Sequence, residues 1–473
     1  MRHTSSLAVV AALALAACAS PRTPDLSLPG AFEVQPGAAQ AVALDQWWTA
    51  FEEPELSGLV EQALAANTDV RTAAARLQEV RAQRNSAILG LFPQGDAAGS
   101  ARRTETEQLS GTQVSIPGFS TSGTSEAYSA NFNVSWELDL FGRTFAAARA
   151  ANADVAAQRF AYEGTRAAIA AQVADSWFQA RGLAIQLADA RETARIQREL
   201  YDLAVKRAQA GLSASSEPDR IAGDLAQADA QVAALEAELQ AQRRALLILT
   251  GRAAEPTANI NAQPSVGTLP PVPASIPSQL LARRPDIREA QARVRSAAGR
   301  QDIAERAFLP TIDLTPGIGW SRQEQPGFAS ESWNWSIGGA VTQPILSIPR
   351  LLADLKAENA RTEQAVINYE RTVQTAFGEA EGALVRLDAD RRRVALLRDG
   401  EVRAARAYEA ARLGYSRGLT DLQTALSAEQ AWRATRTQLT SAQVQALRRT
   451  VQAYRALGGG WNPDRPSPLA KAR

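Results

Sequence analysis

Two halves of the chain repeat one another, and each half holds a run of helix-forming residues too long for a compact domain. Residues 65–93 align without a gap on 282–310, so that Asp69 falls on Asp286, Arg71 on Arg288, Arg76 on Arg293 and Pro93 on Pro310. Farther on, Tyr201 through the AGL run at 210–212 matches Tyr408 through the RGL run at 417–419. Each half reads as helix, two strands, long helix, turn, helix. The long segments, 143–210 and 351–416, are rich in Ala, Leu, Gln, Arg and Glu and contain no proline, a composition that favours helix throughout. At ~1.5 Å per residue each would span about 100 Å. A duplicated unit of a few strands and such helices builds a tube, not a globule.

The strand segments define the other part of that tube. In 127–139, Tyr128, Ala130, Phe132, Val134, Trp136 and Leu138 share one face, and Ser129, Asn131, Asn133, Ser135, Glu137 and Asp139 share the other. The period of two recurs in 311–322 (Ile312, Leu314, Ile318, Trp320, with Pro316 among them) and in 332–343 (Trp333, Trp335, Ile337, Val341). The segment 94–108 alternates poorly and is placed as a strand only because the repeat demands it. Strands of about ten residues, apolar on one face and polar on the other, with Trp and Tyr among them, mark an outer-membrane barrel. A half-buried soluble sheet would explain one such strand; three beside the N-terminal signal described below favour the membrane. Loops are expected at 109–125 and 323–331, where Gly, Ser and Pro gather. Four strands cannot close, and an open edge in lipid leaves backbone groups unsatisfied. The chain must therefore assemble, as a dimer of eight strands or a trimer of twelve, the latter wide enough for an opening.

The long helices end at Gly211 and Gly418, which suit a left-handed C-terminal cap. New helices begin at 215–219, with Ser216 or Glu217 before Pro218, and at Thr420, and run to about Leu249 and Ala456. The result is two antiparallel helical hairpins per chain. Their turns lie farthest from the strands and offer a surface to another protein.

The N-terminus carries a signal. Arg2 and His3 precede an apolar run, Leu7–Ala17, too short to span a membrane. It ends in Leu15-Ala16-Ala17-Cys18, the pattern of a bacterial lipobox. Cleavage before Cys18 and acylation of its thiol and new amine are expected, giving an anchor that does not span. Residues 1–17 are thus the signal peptide and 18–45 a lipidated segment. Two structural repeats follow, 46–254 and 280–458, joined by an extended proline-rich linker, 255–279, with an irregular tail at 459–473. His3 is the only histidine and Cys18 the only cysteine. The processed chain therefore lacks a histidine base, a free thiol nucleophile and the usual metal ligands. Neither a catalytic pair nor a metal set can be singled out, and no enzyme activity is expected. Charge is balanced, 51 basic against 50 acidic residues, so no basic stripe points to nucleic acid.

These residues resemble the TolC-like outer membrane factors, in particular the lipoprotein branch of drug-efflux channels typified by OprM and NodT. The similarity lies in the opening segment 47–77, the strand-to-helix junction SWELDLFGR at 135–143, the signature 280–310, YSRGLTDL at 415–422 and YRALGGGW at 454–461. It covers nearly the whole processed chain. It implies an α+β membrane protein: a homotrimer whose twelve-stranded transmembrane barrel, four strands per chain, continues into a long periplasmic helical barrel. It also implies an outer-membrane location, a periplasmic membrane-fusion adaptor, and an inner-membrane pump of the resistance–nodulation–division class. No cofactor is implied beyond the lipid on Cys18. By the same likeness Gly211, Leu212, Ser213, Gly418, Leu419 and Thr420 would form the periplasmic tip that meets the adaptor.

One departure concerns the gate. The family often has a V/L-D-A-Q run after the second turn, whose aspartate builds an acidic constriction. Here the run is Leu426-Ser427-Ala428-Glu429-Gln430. An acidic ring at Ser427 is not supported, and Asp421, Ser427 and Glu217 remain as gate candidates by position. Two other readings stay open: the conduit of a type I protein secretion system, and a non-channel periplasmic coiled-coil lipoprotein. A carboxylate-dependent hydrolase has the least support.

Overall fold

A computed structural model describes residues 27–34, 44–107, 109, 123–211, 214–272, 276–325, 327–417, 419–420 and 422–462. The elements are α1 (Pro54–Ala66), α2 (Thr68–Leu89), β1 (Gln94–Thr106), β2 (Gly123–Glu137), α3 (Arg143–Gln209) and α4 (Ser216–Leu249). The second half supplies α5 (Pro277–Arg283), α6 (Pro285–Arg306), β3 (Thr311–Gln325), β4 (Phe328–Thr342), α7 (Ile348–Ser416) and α8 (Leu422–Ala456). The duplicated order expected from the sequence is present. The described residues cluster into two compact units: a sheet unit drawn from 78–157 and 291–368, and a helical unit drawn from 27–77, 158–290 and 369–462.

In the sheet unit the four strands pair antiparallel in the order β1-β2-β3-β4. The registers Ala97↔Phe132, Phe132↔Ile318 and Ile318↔Trp335 carry one apolar face across the whole sheet. From Ile312 to Trp320 that face runs about 26 Å along the strand at ~3.3 Å per residue, or about 20 Å of height at a barrel tilt of ~40°, close to that of an outer-membrane apolar band. The expected loop at 323–331 is narrower than its composition suggested. Strand pairing continues to Gln325↔Phe328, because ladder hydrogen bonds outweigh the turn preference of Gly and Ser beside them. The poorly alternating segment at 94–108 is strand over Gln94–Thr106, held by its register with β2.

The junction between β2 and α3 is fixed by its own residues. Arg143 pairs with Glu137 at 2.5 Å, Gly142 adopts φ +76°, and Asp139 accepts the Phe145 N–H at 2.8 Å. Burial opposes the charge of Asp139. The Thr144 hydroxyl and the N–H groups of Phe145, Arg143 and Gly142 nevertheless hold its carboxyl below the usual range. Here α3 packs on α6: a side chain at Gly299 would strike Ala150, and Asp154 takes hydrogen bonds from Ser296 (2.5 Å) and Arg300 (2.9 Å).

The repeat is legible in the helical unit as matched contacts. What reads as one helix at 65–93 is broken at Asn67, and its counterpart is broken at Arg284; both side chains are buried. Asn67 donates to Leu249 O at 3.0 Å, at the end of α4, and accepts the Asp69 N–H at 2.8 Å. Arg284 donates to Ala456 O at 3.1 Å, at the end of α8, and pairs with Asp286 (2.6 Å) and Glu379 (2.7 Å). Past the end of each hairpin's last helix the chain bends at a glycine of positive φ, Gly251 (+75°) or Gly458 (+81°). A Cβ at Gly251 would lie 3.0 Å from Ala66 Cβ, and one at Gly458 would lie 2.8 Å from Arg283 O.

The aromatic core sits beside this turn. Trp47 stacks on Tyr454 with centroids 5.6 Å apart and meets Phe51 edge-on, and Phe51 packs on Phe178. Three boundaries differ from expectation. The tail begins inside the core: Gly459, Gly460 and Trp461 are buried, and the Trp461 indole donates to Arg283 O at 2.7 Å. The proline-rich linker is not merely extended, because Ile260, Ala262 and Val272 are buried and α5 starts within it at Pro277. Ser215, not Ser216 or Glu217, occupies the cap of α4, and it makes no side-chain cap bond.

Gly458→Ala is expected to destabilise the protein by more than ~1 kcal/mol, since it adds both backbone strain and a clash with a main-chain oxygen. Thermal unfolding in detergent would measure the loss; Gly223→Ala, an open helical site, should be neutral or stabilising.

Candidate functional site

The polar face of the sheet is the first part of a transport path. Ser100, Ser129, Ser321 and Ser332 form one row across all four strands. Hydroxyl pairs close at 2.9 Å (Ser100–Ser129) and 3.0 Å (Ser321–Ser332). The next row is Ala98, Asn131, Gly319 and Asn334. At Gly319 a Cβ would meet the amide oxygens of Asn131 and Asn334, which would have to turn aside to admit it. Small neutral hydrogen-bonding groups thus line the middle of this face. These two rows can wet a passage without a fixed charge, and charged groups stand above and below them on the same face, Arg102 on one side and Asp96, Asp313 and Glu137 on the other. The opposite face leaves Trp333, Trp335, Ile337 and Val341 exposed by 74%, 79%, 71% and 69%. A sheet so divided has water on one side and hydrocarbon on the other.

The second region singled out from the sequence is the end of the helical hairpins. Of the tip residues, Gly211 takes φ +68°, as a left-handed cap requires. Leu419 is exposed and its N–H donates to Gly414 O at 2.8 Å. Thr420 donates its hydroxyl to Ala411 O at 3.1 Å, closing the α7–α8 turn. Cys18, Leu212, Ser213, Gly418 and Asp421 lie outside the described residues. Among the gate candidates, Ser427 is exposed on α8 and Glu217 is half-buried in the first turn of α4.

A cluster that the sequence reading missed ties α8 to α3. Arg433 pairs with Glu429 at 2.8 Å and donates to Thr193 Oγ1 at 3.3 Å. Arg436 pairs with Asp189 at 3.2 Å and lies over the Trp432 ring. Trp432 stacks on Tyr408 of α7, centroids 5.4 Å apart and nearly parallel, and donates to Glu401 at 2.9 Å. Burial, then the nearby Glu429 carboxylate, push the Tyr408 phenol above its ordinary value. The acid of this segment is therefore Glu429, two residues past Ser427, and it is already paired. A cleft of about 950 Å³, with Gln186, Gln227 and Gln231 on its wall, opens beside the cluster. One signal could have revealed it: the first repeat has Leu225, Ala226 and Asp229 where the second has Trp432, Arg433 and Arg436. The two hairpins are not equivalent, and only the second is held through these groups.

Among the described residues no helix is long and apolar enough to cross a membrane, and no group of three His, Cys, Asp or Glu could hold a metal ion. The membrane is met by strands. The class is a barrel-forming channel subunit with long helical hairpins. Residues 59–252 and 276–459 match the outer membrane efflux protein family, and the chain belongs to it. It is 29% identical over 462 residues to the pyoverdine export outer membrane protein OpmQ of Pseudomonas putida, covering 96% of this chain and 97% of that one. It is 29% identical over 427 residues to the cation efflux system protein CusC of Escherichia coli, covering 88% of each. The solved outer-membrane channel OprN superposes with a TM-score of 0.77 at 27% identity, over 93% of this chain and all of that one. The fold is that of the family's trimeric channels, with long helices and four strands per chain. The protein is an outer-membrane efflux channel.

Arg433→Ala with Arg436→Ala should loosen the part of α8 nearest the hairpin turn from α3, leaving the Arg448–Asp175 pair farther along α8 and the strands intact. Single-channel recording in planar bilayers is expected to show basal conductance raised several-fold. Ser427→Ala should leave it unchanged.

Proposed function

We propose that this chain, as a homotrimer, is the passive outer-membrane duct of a tripartite efflux system driven by an inner-membrane pump of the resistance–nodulation–division class. The observation that carries this reading is the divided sheet, apolar with exposed tryptophans on one face and lined with Ser and Asn on the other. Three copies give twelve strands, enough for an opening. The chain performs no chemistry; transport is powered by the pump. A periplasmic membrane-fusion adaptor meets the hairpin turns at Gly211, Leu212, Ser213, Gly418, Leu419 and Thr420, with Asp421 contributing to the tip's charge. OpmQ is named for pyoverdine export and CusC for cation efflux. Relatives with such different cargoes support a conduit whose selectivity resides chiefly in the pump.

Photo-reactive residues at Leu212 and Leu419, crosslinked in living cells and read by mass spectrometry, test the assembly. Recovery of an adaptor and such a pump is the expected result. An ABC-type exporter would move the protein to type I secretion, and no envelope partner at either turn would sink the docking scheme.

Cys18 carries the lipid anchor in this reading, supported by the lipobox alone. The mass of the N-terminal peptide should exceed that of the bare sequence from Cys18 by a diacylglycerol and an acyl chain. Cys18→Ser should abolish the increment.

A further inference from the structure

Two glycines of β3 leave a bare shelf on the polar face of the sheet. Gly317 and Gly319 stand on that face between polar neighbours: one row runs Asp96–Asn133–Gly317–Ser336, and the next Ala98–Asn131–Gly319–Asn334. Gly319 is buried although the face is open to water, because Asn131 and Asn334 lean over it from both sides. The point where a Cβ would stand on Gly319 lies within 2.5 Å of both amide oxygens. The two oxygens are therefore no more than ~5 Å apart. At Gly317 the corresponding point lies 3.4 Å from Asn133 Oδ1 and 3.5 Å from Ser336 Oγ. Among the described residues the side chains of Asn131, Asn133 and Asn334 make no hydrogen bond, so their capacity is turned to the water-filled side.

Two converging oxygens at that separation suit one group with several donors. An ammonium nitrogen with bonds of ~2.9 Å, opened to the tetrahedral angle, spans ~4.7 Å between its acceptors. A divalent cation of the calcium kind takes roughly six or more oxygens, which this point does not offer. An amide can turn either its oxygen or its NH2 inward, and local charge decides which. Asp96, at the end of the lower row, has no ion pair among the described residues, and neither has Asp313 farther down the same face. Glu137 is committed to Arg143. Arg102 is six residues along β1 from Asp96, ~20 Å away and beyond a Debye length of ~8 Å at physiological salt. It does not offset the carboxylate. The shelf therefore attracts cations, and a cation turns the amide oxygens inward.

We propose that the shelf over Gly317 and Gly319 is a binding site for aliphatic diamines, with one ammonium seated between Asn131 and Asn334 and the other at Asp96. Asp96 stands two strands over and one row down from Gly319. That is roughly 12 Å between Cα atoms, at ~4.8 Å per strand and ~3.3 Å per residue. The reach of the carboxylate and its bond of ~2.8 Å to an ammonium take up about half of it. What remains is the span of a four- or five-carbon diamine, whose alkyl spacer crosses β2 between Asn131 and Asn133. The inference rests on the reading of this face as the wall of a duct and adds one station per protomer to that wall. The amides are open to water, so binding is weak and release fast, as a transport path must allow.

Saturation-transfer NMR on the full-length trimer in detergent, with 1,4-diaminobutane as the probe, reads weak binding whatever the state of the periplasmic end. Tetramethylammonium carries the charge without an N–H donor. Diaminobutane should bind at least about fivefold more tightly than tetramethylammonium. Asn131→Ala with Asn334→Ala should abolish that preference. So should Gly319→Ala, which keeps both amides and pushes them aside; it carries the test if the double variant fails to assemble. Asp96→Asn should reduce diaminobutane to the affinity of methylammonium. In planar bilayers, diaminobutane added on the extracellular side should lower the current of the unmodified channel and leave that of Gly319→Ala unchanged. Equal binding of diaminobutane and tetramethylammonium, or a preference that survives Gly319→Ala, overturns the site. Donor-selective binding without any conductance would uphold the site and sink the duct. Conductance without donor-selective binding would sink the site and leave the duct standing.

Discussion

The structure depends on one constraint: a strand in hydrocarbon must have every backbone N–H and C=O paired. The four-stranded sheet satisfies that constraint internally at β2 and β3 and fails at its two edges. Everything that makes the chain a channel follows from that failure. It cannot function alone, its sheet must continue into other copies, and closure around a common axis creates the passage. The polar face of Ser129, Asn131, Ser321 and Asn334 becomes a lining only because the edges compel closure.

The helical unit meets a different requirement, which is to set the ends of very long helices. Helices of 67 and 69 residues have ample local stability, so tertiary structure acts mainly at their margins. The two repeats answer with the same device. A buried polar residue at the first helix break, Asn67 or Arg284, captures the carbonyl at the end of its repeat's last helix. A positive-φ glycine two residues beyond that carbonyl, Gly251 or Gly458, then lets the chain pass against the first helix. The residues differ, a neutral amide in one repeat and a paired guanidinium in the other. The second repeat therefore also binds α7, through Glu379. The same inequality appears near the hairpin turns, where only α8 carries the Trp432, Arg433 and Arg436 set. Duplication supplied two equivalent hairpins, and side-chain chemistry gave one of them an extra attachment.

Much of this was legible in the sequence. The gap-free repeat gave the element order, the period of two gave the faces of β2, β3 and β4, and proline-free runs gave α3 and α7 nearly to the residue. Boundaries shaped by distant contacts were not. Trp461 belongs to the core because Arg283 O and Phe160 receive it, although Gly-Gly-Gly before it and prolines after it read as an irregular tail. Ser427 drew attention by its departure from a family pattern, while the paired acid, Glu429, needed coordinates to be seen.

The sequence by itself determined the class: periodicity and propensity are local, and they fixed strands that need lipid and helices that need length. It also determined that the chain is incomplete alone, since four strands cannot close. Tertiary structure decided which polar groups meet across hundreds of residues, such as Arg433 with Thr193 and Arg284 with Ala456 O. Those contacts join faces of separate helices whose relative rotation no local pattern records. A shift of one residue in that rotation turns a side chain by about 100°, which is enough to make or abolish the contact.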